Sequence, residues 1–134
     1  MRSIEDIQAE IDALWEKIGR AKDLKAIFID SRGRIVKKRD MVKTDAYDPF
    51  NAYDITRASK WRGDRENKAA DMKRTISEHT KNAQKQAAST ISELDAAIEK
   101  LDELIEEWKE RIEHLEAEKD EIESMQESGN QEAG

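Results

Sequence analysis

The sequence predicts an all-α fold: an elongated antiparallel two-helix hairpin of coiled-coil type. Three observations carry this reading. Apolar residues recur at alternating spacings of three and four over two long stretches. Proline occurs once and glycine five times in 134 residues, too few for the frequent turns of a sandwich or barrel. Charged residues make up 41% of the chain and aromatics only 5%, as expected of long helices with one apolar stripe each.

The first helix is predicted over about residues 3–46. Ile4, Ile7, Ile11, Leu14, Ile18, Ala21 and Phe28 form a heptad seam in which Lys25 is the polar interruption. Ser3 precedes the seam with Asp6 three residues on, a capping-box-like start. The same register continues through Arg32, Ile35, Arg39, Val42 and Ala46, giving a helix of roughly 65 Å. Gly33 lies inside it at a cost of about 1 kcal/mol relative to Ala. A β-hairpin over 26–37, turning at Ser31-Arg32-Gly33, is the competing reading of this segment.

The connector is expected over 47–63. Pro49 disfavours helix at Asp48. A short third helix can form over 52–60. Trp61-Arg62-Gly63-Asp64 then combines a glycine able to reverse the chain with a residue able to cap a new helix.

The second helix is predicted over 64–127. Its seam is Ile91, Leu94, Ile98, Leu101, Ile105, Trp108, Ile112, Leu115 and Ile122, with Lys119 filling one slot. Upstream, Ala69, Met72, Ile76, Ala83 and Ala87 fit a seam displaced by a stutter. Residues 1–127 thus form a single domain, and the polar tail 128–134 is expected to be disordered. Folding near residue 55 would set Ile4 opposite Trp108, leave the stripe from Ile112 to Ile122 overhanging, and place the basic stretch 32–43 against about 67–78. So slender a pair buries little per residue, which points to a partner or a homodimer.

Several chemistries are disfavoured. There is no cysteine, which excludes a disulfide scaffold, a thiolate nucleophile and a Cys-ligated zinc. No phosphate loop, nucleophile elbow or His-Glu-x-x-His occurs. Of the two histidines, His114 has Glu110 and Glu118 one turn to either side, a set read as a solvated flank rather than a metal site. His79 is expected half-buried on a thin stretch of seam. The reading is therefore of a non-enzyme with no catalytic, cofactor-binding or metal-binding residues. No apolar run is long enough to span a membrane, and the N-terminus lacks a signal-peptide core.

Charge is distributed unevenly. Residues 1–63 hold 14 Lys and Arg against 11 Asp and Glu, while residues 64–134 hold 10 against 20. Arg32, Arg34, Lys37, Lys38, Arg39 and Lys43 form a basic stretch without interleaved aromatics. Such asymmetry speaks about association, with an acidic protein favoured over nucleic acid as its partner.

Trp61-Arg62-Gly63 is singled out by its position between two long helices. With it the chain resembles the WXG-type helical hairpin proteins of the type VII secretion system, in particular the larger members associated with LXG toxins. Those have about 130 residues, no cysteine, a long N-terminal helix and a Trp-x-Gly turn near the middle. The resemblance implies that Trp61 and Gly63 set the hairpin. It implies a targeting factor or chaperone-like partner for the helical N-terminal domain of a secreted toxin. It also implies a cytoplasmic protein that is exported, if at all, without a cleaved signal and as part of a complex. The Tyr-x-x-x-Asp/Glu signal that many such proteins carry after the second helix is missing. The nearest pattern, from Phe50 to Asp54, lies before the turn. Another helical protein, or a second copy of the chain, is the partner expected. The alternative is a coiled-coil adaptor of another kind or a prefoldin-like chaperone subunit, a class in which strands lie between the helices.

Overall fold

In a computed structural model the described residues are 2–52 and 64–133, with side-chain surroundings described for 2–50 and 67–129. The fold is all-α, an antiparallel helical hairpin, and no strand occurs among the described residues. Helix α1 runs over Ile4–Val42, a π-helical turn follows over Lys43–Tyr47, α2 covers Asp48–Ala52, and α3 covers Asp64–Ala133. Ser3 caps α1: its Oγ accepts the Asp6 backbone N–H at 3.1 Å, as the capping box predicts.

Segment 26–37 lies within α1, so the β-hairpin reading is set aside, and with it the feature that favoured a prefoldin-like protein. The heptad continues through Gly33, and a single glycine costs less than losing the apolar stripe. The break expected at Pro49 is also absent. Asp48 is helical (φ −64°, ψ −49°), and its backbone N–H bonds the Lys43 carbonyl across the wide turn. A proline inside a helix lacks one donor and crowds the preceding turn. The π-helical turn directly upstream is where this helix accommodates it. At the other end, α3 extends through Ser128 to Ala133, where an irregular tail was expected.

Contacts divide the hairpin into two compact units, Met1–Phe28 with Ala97–Gly134, and Ile29–Ala96. In the first, Ile7, Ile11, Leu14, Ile18 and Ala21 of α1 pack with Ile105, Ile112, Leu115 and Ile122 of α3, with Ile4, Leu101 and Trp108 against them. Each fully buried Ile or Leu contributes on the order of 1.5–3 kcal/mol. The two lysines that interrupt the seams are half-buried and carry their amines to the edge. Lys119 Nζ donates to Gln8 Oε1 at 2.9 Å, and Lys25 Nζ meets Asp102 at 2.6 Å. Glu10 is held from two directions: by Arg2 near the N-terminus, and by Arg111 Nε from α3 at 3.2 Å.

The second unit has the same antiparallel sense. Arg32 pairs with Asp95, and Gln84 Nε2 donates to the Arg39 carbonyl at 3.4 Å. Among the described residues Ile91 is its one buried hydrophobic side chain. Ala69, Lys73, Ser77, Thr80, Gln84, Ala87 and Leu94 are its half-buried positions on α3; from Lys73 to Leu94 they keep the Ile91 heptad register, and Ala69 lies four residues before Lys73 where the heptad would place three. Of the displaced seam, Ala69 and Ala87 are half-buried, while Met72, Ile76 and Ala83 are exposed and are corrected. Met72 and Ile76 are exposed, because backbone register carries polar and small residues inward past them.

The pairing itself differs from the fold-back expected near residue 55. The cross-helix pairs Gln8–Lys119, Lys25–Asp102, Arg32–Asp95, Glu10–Arg111 and Arg39–Gln84 all centre between residues 60 and 64. Helical structure continues past residue 47 to Ala52, and within each unit α1 pairs with a later part of α3 than that fold-back implies. The stripe from Ile112 to Ile122 consequently lies in the core and does not overhang. Arg32 and Arg39 of the basic stretch face Asp95 and Gln84 rather than residues 67–78.

Candidate interaction surface

The nine residues predicted as core or partner seam separate by burial. Ile91, Ile105, Ile112, Leu115 and Ile122 are buried, while Leu94, Ile98, Leu101 and Trp108 are half-buried. Most of the seam is thus internal core, and surface is left where half-buried members reach the flank. Trp61, Gly63 and Asp54 lie outside the described residues. Phe50, the first member of the signal-like pair, lies in α2 and lines a small hollow of about 200 Å³ with Val42, Ala46, Tyr47, Ile76 and Thr80. In that hollow Val42, the π-helical turn and α2 meet Ile76 and Thr80 of α3, and Thr80 Oγ1 donates to the Ile76 carbonyl at 2.9 Å.

A second apolar groove, of about 350 Å³, lies in the first unit. It is lined by Lys17, Arg20, Ala21 and Leu24 of α1 and by Leu101 and Trp108 of α3. Lys17, Arg20, Leu24 and Ile27 precede the core positions Ile18, Ala21, Lys25 and Phe28 by one residue each, and so form a second stripe alongside the first. Leu24 is 41% exposed and Ile27 59%. This stripe lies outside both predicted seams. Its signal was present in the sequence, as two apolar residues at heptad spacing outside the seam.

The charged surfaces are partly engaged. Arg32 pairs with Asp95, Arg34 with Asp30, and Arg39 with Asp40, while Lys37, Lys38 and Lys43 are exposed. Glu99, Asp102, Glu103, Glu106 and Glu107 share one acidic face of α3. The Arg2 guanidinium, and then Arg111, hold the Glu10 carboxyl below the usual carboxylate range. Glu10 in turn raises the Arg2 pKa.

Both histidines are exposed, which corrects the half-buried expectation for His79: its slot lies with the exposed Met72, Ile76 and Ala83. Among the described residues no group of three or more His, Asp or Glu is placed to hold a metal ion, and no polar or charged residue is buried. No helix among them is long and apolar enough to cross a membrane. What the surfaces can do chemically is associate, through apolar grooves on helix flanks bordered by charge. No protein-family model, curated protein or solved structure matches the chain.

Proposed function

We propose that this chain is a non-enzymatic helical partner protein that docks on helical segments of another protein. One observation supports this above the others. In the Ile29–Ala96 unit the half-buried face of α3 carries the polar Lys73, Ser77, Thr80 and Gln84 beside Ala69, Ala87 and Leu94, Ile91 is its one buried hydrophobic side chain among the described residues, and the apolar Met72 is exposed. A helix pair with four polar residues on one inner face and one buried hydrophobic side chain gains little from its own packing. A third helix laid over the outer face would cover the apolar residues.

The specific form of the proposal is a targeting factor for the helical N-terminal domain of an LXG-type toxin in type VII secretion, travelling in complex with it. Its support is the Trp61-x-Gly63 resemblance, in a motif that directly precedes α3, which begins at Asp64. The test is affinity capture of the tagged protein from the cells that make it, with mass spectrometry and light scattering for stoichiometry. Stoichiometric recovery of a larger protein with a helical N-terminal domain and a toxin-like C-terminus is the expected result. Recovery of no partner, with a stable homodimer in solution, would overturn the reading.

A further inference from the structure

We infer that the groove between Leu24 and Trp108 is the docking site, and that its occupant is an acidic amphipathic helix of another protein. This rests on the reading of the chain as a helical partner protein and names the site and the chemistry of the segment bound. The groove floor is apolar: Ala21, Leu24, Leu101 and the half-buried Trp108. An indole half-exposed at the base of a groove is a common anchor in helix recognition. Its charged lining is entirely cationic. Lys17 and Arg20 border it, and no carboxylate lines it. Lys17 has no ion pair among the described residues. Arg20 holds Glu16 at 2.5 Å, but both are well exposed, so the pair is readily exchanged for a partner's carboxylate.

Charge also disfavours the simplest competitor, a two-fold contact of this groove with its own copy. A two-fold contact sets a patch against itself, so Lys17 and Arg20 of one copy would face their own counterparts. A helix with apolar residues at spacings of three and four and Asp or Glu on its flanks meets both features at once. The lysine-flanked equivalent meets only one. The net charge of −7 does not undo this preference, because charges beyond about 8–10 Å are screened at physiological salt.

The test uses the full chain and three designed 21-residue helical peptides. They share one apolar stripe and differ only in flanking residues: Glu, Lys or Gln. Binding is read by fluorescence anisotropy and mapped by the Trp108 indole N–H resonance. The Glu-flanked peptide is expected to bind at least about tenfold tighter than the Lys-flanked one. The K17E/R20E variant is expected to invert that order, with its helix content unchanged by circular dichroism. Leu24→Glu, at an exposed position, is expected to weaken all three. Equal binding of the Glu and Lys peptides, or an order that survives K17E/R20E, would overturn the proposal.

A photo-crosslinker placed at Leu24, or separately at Met72, distinguishes this failure from that of the broader reading. If a stoichiometric helical partner is captured but crosslinks only from Met72, the groove assignment is overturned and the partner reading stands. If no partner is captured and the chain is a homodimer, the partner reading is overturned, and the peptide series still decides the groove.

Discussion

Truncating Leu115 to Ala is expected to destabilise the protein by about 3 kcal/mol, in contrast to a similar truncation ten residues away on the same helix. Leu115 is fully buried among Ile7, Ile11 and Ile112 in the core cluster. The substitution removes three carbons, worth about 0.8 kcal/mol each in transfer. The cavity term adds to this, though less than in a thick core, because two helices can close on the gap. Met125 is 57% exposed on the same helix and in the same unit, so Met125→Ala should cost less than about 1 kcal/mol. Urea unfolding followed at 222 nm separates the two. With a slope near 2 kcal/mol/M, Leu115→Ala should lower the midpoint by roughly 1.5 M and Met125→Ala by less than about 0.5 M. If the C-terminal stripe overhung, both side chains would be exposed and the two losses would be alike. Equal midpoints for the two variants would refute the pairing described above.

Further outcomes follow from single residues. A Cβ added at Gly33 meets nothing within 4 Å, so Gly33→Ala should stabilise α1 by about 1 kcal/mol, measured as a raised melting temperature. Ser3→Ala removes the cap on Asp6 and should cost about 1 kcal/mol, with faster amide exchange confined to the first turn of α1. Glu10 has a lowered folded pKa, so its stabilising effect is present above the unfolded value near about 4.3 and is lost as pH falls through the folded value. Thermal melts of wild type and Glu10→Gln should therefore differ at neutral pH and converge in acid, with the difference shrinking at high salt.

Much of the fold was legible because heptad spacing survives any choice of partner helix. Every seam position from Ile91 to Ile122 is buried or half-buried, as is every α1 seam position from Ile4 to Arg39. The sliding register was not legible. Both seams repeat every seven residues, so a shift of two heptads preserves apolar contacts, and the choice falls to polar cross-bonds such as Gln8–Lys119 and Arg32–Asp95. The inner face at residues 69–87 was misread for a related reason. Apolar residues were assumed to point inward, whereas Thr80, Gln84 and Ala87 hold the inward register while Met72 and Ile76 do not. The groove went unread because Leu24 and Ile27 are only two apolar residues in a stripe otherwise basic over this stretch.

The most direct test of the account is the pairing on which core and groove both depend. The chain has no cysteine, so spin labels can be placed singly and in pairs without background. Asp12 and Glu116 are exposed and border the same surface hollow of the first unit, whereas Lys100 lies 16 residues before Glu116 on α3. Labels at Asp12 and Glu116, diluted with unlabelled protein, should be within roughly 20 Å, as expected of helices packed 8–10 Å apart. Labels at Asp12 and Lys100 should be separated further, by an axial offset of about 24 Å. The reverse order, with Asp12 close to Lys100 and far from Glu116, would contradict the account.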